Sequence, residues 1–302
     1  MKDQKTSSST IKGCQNNNIT KGASDIVNVT IPTSVVDSSF RLFSINFKEL
    51  WEYRDLLYFM VWRNIKAVYA QSILGIGWVF IKPVITMIVF TVIFGKLAKI
   101  SSDGVPYAIF NYTALVPWTY FSSSLVGVSN SLVATPGMLT QVYFPRLILP
   151  MTPVLTKFVD FFVAVLILLV LMAWFRIVPT ALILFLPLLI IPMMLTTLGI
   201  GMWFTSLAVQ YRDFRNIISF IVQLLMYASP VVYPASLIPE QYRLLYGINP
   251  MVGVIEGFRS ALLSTNPMPW DLILVGSISS VVFAISGLLF FRKRELIFAD
   301  VI

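Results

Sequence analysis

Long apolar stretches, joined by short links that carry most of the charge, constrain this chain more than any other feature. Each comes near the roughly 20 residues that an α-helix needs to cross about 30 Å of hydrocarbon. Composition agrees: 57% of the 302 residues are hydrophobic and 12% are charged, against about 25% charged in a soluble domain. The surplus needs lipid as its solvent, and in lipid a helix satisfies its own backbone. The sequence therefore predicts an all-α integral membrane protein with six transmembrane helices. They are placed at Gly77–Leu97, Phe110–Val133, Val154–Phe175, Ala181–Val209, Ile217–Tyr233 and Leu272–Phe291. Pro187 and Pro192 tilt or bend the fourth.

The residue inventory excludes several chemistries. There is no histidine, which removes histidine-based nucleophile activation, histidine-ligated zinc and the commonest general base. The single cysteine, Cys14, cannot form an internal disulfide or a thiolate cage. The net charge is +8, but the basic residues are scattered beside apolar spans. They read as topology signals and not as a nucleic-acid surface. No GxxxxGK[ST] phosphate loop is present, so an energy source for transport would lie on another chain.

Residues 1–40 are rich in Ser, Asn, Thr and Lys without apolar periodicity and read as a flexible cytoplasmic tail. It lacks the apolar core of a secretory signal. The remaining residues, 41–302, form one transmembrane domain. Its first element, residues 47–69, alternates apolar and charged residues at helical spacing and reads as an amphipathic helix in the membrane interface. Most of the 22 Lys and Arg fall on the segments that share a side with this helix. Both termini are therefore expected in the cytoplasm.

Several segments carry a mechanism. The second span holds Ser122, Ser123, Ser124, Ser129, Asn130 and Ser131. In lipid these need partners, either as glue between helices or along a wet path. Met138, Leu139, Gln141, Tyr143 and Phe144, followed by Arg146, make a short proline-bounded element on the cytoplasmic side. It reads either as a tight connection or as a stiff contact that receives force from a partner. Residues 211–216, YRDFRN, form a second short link. Lys82 lies inside the first span, near enough to its start to snorkel, and is a functional candidate by default. Asp160, one turn beyond Lys157, suggests a local ion pair.

Between Pro234 and Leu263 the charges make a crossing costly. The segment is expected to form two re-entrant periplasmic helices before the last span. Leu244, Leu245, Met251 and Val252 are its candidates for a hydrophobic gate, which closes by dewetting.

Together, ELWEYRDLLYFMVWRNIKAVYAQSILGIGWVFIKP, ALVPWTYFSSSLVGVSNSLV and VYFPRLILPM resemble the membrane subunit of type-2 ABC transporters that export polysaccharide. The O-antigen exporter branch is the nearest, with teichoic-acid and capsule exporters as relatives. YRDFRN and INPM also fit, and the resemblance runs from about Phe47 to Phe291. Such permeases often carry Gln at the position of Lys82.

The resemblance implies a homodimer in the bacterial inner membrane, joined to two copies of a cytoplasmic ATPase that hold ATP and Mg. This chain itself would bind no cofactor and catalyse no reaction. It also implies a channel for a polymer on a polyprenyl diphosphate lipid. Sugar rings pack on aromatic faces and their hydroxyls need polar partners. Tyr112, Trp118, Tyr120, Phe121, Ser123, Tyr227 and Tyr233 are the candidate liners, some of them ordinary interfacial aromatics. Arg63 and Lys66, with Lys82, are candidates to receive the diphosphate by charge-assisted hydrogen bonds. Two other readings are an exporter of a small hydrophobic compound and a membrane-embedded lipid-sugar transferase. Absence of histidine and of paired carboxylates weighs against the transferase.

Overall fold

A computed structural model of the protein describes residues 47–70, 77–135, 137, 143–211, 213–264 and 266–301. The expected tail, residues 1–40, lies outside them, as do Met138, Leu139, Gln141 and Arg212. Every regular element among the described residues is helical. The chain is an integral membrane protein of the all-α class.

The amphipathic segment forms α1 (Phe47–Glu52) and α2 (Arg54–Ala70). Backbone bonds from Tyr53 N to Glu49 O and from Leu57 N to Tyr53 O carry the helix across the turn between them. Trp51, Tyr58, Phe59 and Trp62 stay exposed, while Met60 is buried in a small core with Leu132, Phe144, Phe291 and Phe298.

The remaining helices are α3 (Gly77–Phe90, continued as a π-helix over Thr91–Leu97), α4 (Tyr107–Asn130), α5 (Ile148–Thr156), α6 (Phe158–Phe175) and α7 (Leu186–Gln210). After them come α8 (Phe214–Ala228), α9 (Glu240–Tyr246), α10 (Pro250–Leu263) and α11 (Trp270–Val301). A helix stands at the place of each expected span. Among the described residues four stretches are long and apolar enough to cross: Gly77–Leu97, Ile148–Phe175, Ala181–Gln210 and Trp270–Glu295.

The other two spans differ from expectation in instructive ways. α4 has 24 residues, roughly 36 Å at 1.5 Å per residue, but it is the polar axis of the bundle. It packs on α3, α5, α6, α7, α8 and α10, and most of its side chains are buried. α8 has only 15 residues, roughly 22 Å. It ends at Ala228, where Ser229 turns extended, so Tyr233 lies beyond the helix.

The serines of α4 mostly serve their own helix. Ser123 bonds Thr119 O at 2.7 Å, Ser129 bonds Leu125 O at 2.7 Å, and Asn130 bonds Val126 O at 2.9 Å. Such back-bonding satisfies a hydroxyl in an apolar setting without any neighbour. One interhelical bond comes from the other side, from Thr205 Oγ1 of α7 to Val128 O.

The expected pair of helices before the last span is present as α9 and α10. All 14 residues of α10 are buried. Asn249 caps it, accepting from Met251 N at 3.1 Å, with Pro250 following at the first turn.

Candidate functional site

A cavity of about 550 Å³ opens where α2, α3, α4 and α6 meet. Its polar corner is built from three elements. Lys157, at the junction of α5 and α6, places Nζ 2.7 Å from Asp160 Oδ2, both side chains about one quarter exposed. From the end of α2, the Tyr69 hydroxyl donates to the other carboxylate oxygen of Asp160. Burial, reinforced by this bond and by the nearby carboxylate charge, pushes the Tyr69 hydroxyl well above the usual phenol range. The interfacial helix is thus tied to α6 through a hydrogen-bonded ion pair.

The opposite wall belongs to α3. Trp78 and Lys82 stand one turn apart, with the Lys82 ammonium 5.8 Å from the Trp78 ring. Lys82 is exposed and has no carboxylate partner among the described residues. Thr119, Ser122 and Ser123 of α4 line the floor. Each donates to a carbonyl of its own helix, which leaves its oxygen as an acceptor. The cavity therefore combines two ammonium groups, one carboxylate, an indole face and a row of hydroxyl oxygens. That set suits an anion attached to a hydroxylated, ring-shaped group.

The sequence-predicted residues distribute unevenly around it. Lys82, Ser123 and Tyr120 meet in the cavity. Arg63 and Lys66 do not line it. They are exposed on α2, with the Lys66 ammonium 5.3 Å from the Trp62 ring.

Four of the expected channel liners need correction. Tyr112, Trp118, Tyr120 and Phe121 are at most 4% exposed. They pack inside the chain because α4 is its core helix. Tyr112 and Tyr120 spend their hydroxyls on Ala164 O and Val154 O, and of the four Tyr120 alone lines the cavity. Tyr227 remains exposed on α8. Tyr233 is half-buried, and its hydroxyl contacts Tyr227 O and the Tyr246 hydroxyl, each at 3.1 Å.

The expected gate is likewise split. Leu244 and Leu245 are exposed on α9. Met251 and Val252 are not available to narrow a path, because they are fully packed within α10. What holds this region is a residue that sequence reasoning treated only as a charge opposing a crossing. Arg259, 1% exposed, pairs with Glu256 at 2.8 Å and donates to Val231 O and Tyr233 O at 2.9 and 3.2 Å. Its guanidinium lies 3.7 Å from the centre of the Phe110 ring. Glu256 accepts from Ala235 N, and Tyr107 donates to Val232 O at 2.6 Å. The irregular backbone 231–235 thus finds its partners in protein, as irregular backbone must wherever lipid surrounds it. The three-residue spacing of Glu256 and Arg259 was the available signal.

In the expected partner-contact element, the described residues also divide. Tyr143 is 72% exposed, and its hydroxyl reaches Glu49 at 3.4 Å. Phe144 is buried, and Arg146 donates to Glu295 O near the end of α11. The predicted Lys157–Asp160 pair is present, but sequence reasoning missed its third member, Tyr69, which lies 91 residues away.

Comparison with known proteins agrees with this architecture. The profile of the ABC-2 type transporter family matches residues 55–263, from the interfacial helix to the end of α10. An O-antigen export system permease protein, RfbA, of Myxococcus xanthus is 29% identical over 251 residues, covering 82% of this chain and 96% of that protein. A protein of the same name from Klebsiella pneumoniae is 24% identical, covering 82% of this chain and 95% of its own. The polysialic acid transport protein KpsM of Escherichia coli is 24% identical, covering 77% and 91%. With over two thirds of its length inside the family profile, and with the helices that the profile spans now described, the chain belongs to the ABC-2 type transporter family.

Proposed function

We propose that the chain is the channel-forming permease subunit of an ATP-driven exporter of polysaccharide, carried as an O-antigen-like polymer on a polyprenyl diphosphate lipid. The observation that carries this reading is similarity over nearly the full length of proteins named as O-antigen export permeases. Two copies of the chain work with two copies of a cytoplasmic ATPase, which binds ATP and Mg. The assembly sits in the inner membrane of a bacterium, with both termini of this chain in the cytoplasm.

The cavity beside α2 supports the same reading. In the proposed orientation it lies at the cytoplasmic leaflet. Lys82 and Lys157 receive the diphosphate there, Trp78 faces the first sugar, and the hydroxyl oxygens of α4 accept from it. Arg63 and Lys66 draw the anionic headgroup to the interface. Ser123, Tyr227 and Tyr233 remain the contacts offered to the polymer.

Deleting the gene in its host should remove polymer from the cell surface and leave lipid-linked polymer inside. Restoring the wild-type chain should return it, whereas Lys82→Glu with Lys157→Glu should not, although the protein still inserts. Normal surface polymer in the deletion strain would overturn the export reading. Normal surface polymer in the double variant would overturn the site.

A further inference from the structure

A second cavity, of about 610 Å³, lies on the opposite partnership of the bundle, between α7 and α11. These helices run side by side through a contact that only glycine permits. A Cβ on Gly287 would stand 2.1 Å from Gly199 O, and one on Gly199 would stand 2.4 Å from the Phe283 carbonyl. Just beyond, Trp203 meets Phe283 edge to face at 6.0 Å. From there toward the carboxyl ends of both helices the walls part and leave a groove. It is lined by Trp203, Phe204 and Leu207 on α7 and by Leu289, Phe290 and Lys293 on α11.

The groove walls are apolar along its length. Its one hydroxyl, Ser286, bonds Val282 O and Phe283 O of its own helix. From Ser286 to Lys293 the wall runs roughly 10 Å at 1.5 Å per residue. The charge gathers at one end. Arg292 is paired with Glu295 at 3.0 Å, whereas Lys293 has no carboxylate partner among the described residues. Arg294 bonds the neutral amide of Gln210 at 3.0 Å, lies over the Phe290 ring at 5.5 Å, and has no carboxylate partner among the described residues. Two cations without a carboxylate partner among the described residues therefore stand at the mouth of an apolar slot.

We propose that this groove is a binding site for an anionic phospholipid, its acyl chain along Trp203, Leu207 and Phe290 and its phosphate on Lys293 and Arg294. The slot accepts a hydrocarbon chain because it offers no polar group for anything else to bond. The mouth selects net negative charge, since a zwitterionic headgroup brings its own cation toward Lys293. Each basic residue beside an anionic headgroup is worth about fivefold in affinity. The site is separate from the cavity near α2 and does not depend on what the protein exports.

The full chain, purified with its ATPase partner, can be placed in nanodiscs holding mostly phosphatidylcholine and a minor share of phosphatidylglycerol. Phosphatidylglycerol retained after detergent washing should exceed its share of the bilayer. Lys293→Glu, which removes a cation and adds an anion, should cut that excess at least about fivefold, and Leu207→Trp, which fills the slot, should remove it. Unchanged retention in Lys293→Glu would overturn the proposal.

A second measurement on the otherwise unaltered chain stands even if Leu207→Trp fails to fold. Phosphatidylglycerol with brominated acyl chains should quench a fluorescence component that disappears in Trp203→Phe. Brominated phosphatidylcholine at the same share should quench it less, and equal quenching would sink the selectivity. Efficient cross-linking between copies through a cysteine at Leu289, in a Cys14→Ser background, would show that a second copy covers the groove and would also overturn the proposal.

Discussion

Glu256 and Arg259 stand three residues apart on α10, so one helical turn brings their side chains together. At 1% exposure the guanidinium is held by one carboxylate, two carbonyls and a ring face. Removing one member leaves the other charge buried without a partner, which costs about 3–5 kcal/mol, whereas removing both charges together is far milder. Arg259→Met should therefore lower stability against unfolding by about 3–5 kcal/mol, and Glu256→Gln on top of it should recover part of the loss. Thermal unfolding in nanodiscs checks both; equal stability of Arg259→Met and wild type would refute this account.

Tyr69 gives a second test at the same scale. Its bond to a carboxylate is of the charged kind, worth about 1.5–3 kcal/mol, so Tyr69→Phe should speed amide exchange in α2 about tenfold to a hundredfold. The hydroxyl has its acidity lowered by burial and by Asp160. Its stabilising share is therefore complete below about pH 10, the ordinary tyrosine value, and is lost only as pH rises past the raised one. The difference between the two proteins should stay constant from about pH 6 to 9. A difference that fades within that window would show that the bond is not the cause.

Elements were legible in the sequence to the extent that hydropathy alone defines them. The α3, α6, α7 and α11 spans follow from apolar runs, and α9 and α10 from the charges that make a crossing costly there. What α4 faces was not legible. A helix bearing hydroxyls and aromatics looks the same whether its neighbours are sugar or other helices. Here Ser123 and Ser129 bond back to their own carbonyls, and Tyr112 and Tyr120 reach backbone oxygens on the next helices.

The same ambiguity joined Tyr143 to Phe144 as one docking surface, although the structure exposes the first and buries the second. Their substitutions should accordingly separate. Tyr143→Ala should weaken co-purification of the ATPase without lowering the unfolding temperature. Phe144→Ala should cost about 3–5 kcal/mol of stability, as emptying a core site does. If Tyr143→Ala retains the ATPase at the wild-type level, this residue is not part of the docking surface.

At the scale of the whole molecule, the four long spans are unequally covered. Only 6% of the Gly77–Leu97 span is buried within the chain, against 22% to 28% of the other three. Exposed Ile85, Ile88, Val89 and Val92 run along it, and α8 presents Ile217, Phe220, Leu224 and Tyr227 in the same way. α8 is also too short to cross alone and has its apolar residues on one side. A short helix of this kind is better accommodated against protein than against a full thickness of lipid. For the homodimer proposed above, the contact between copies is accordingly expected on α3 and α8.

In a Cys14→Ser background, single cysteines at Ile88 and at Phe220 should give dimers with a short bifunctional maleimide in native membranes. A cysteine at Val170, equally exposed on α6, should not. Cross-linking at Val170 with none at Ile88 or Phe220 would move the contact to α6 and leave α3 and α8 as lipid-facing helices.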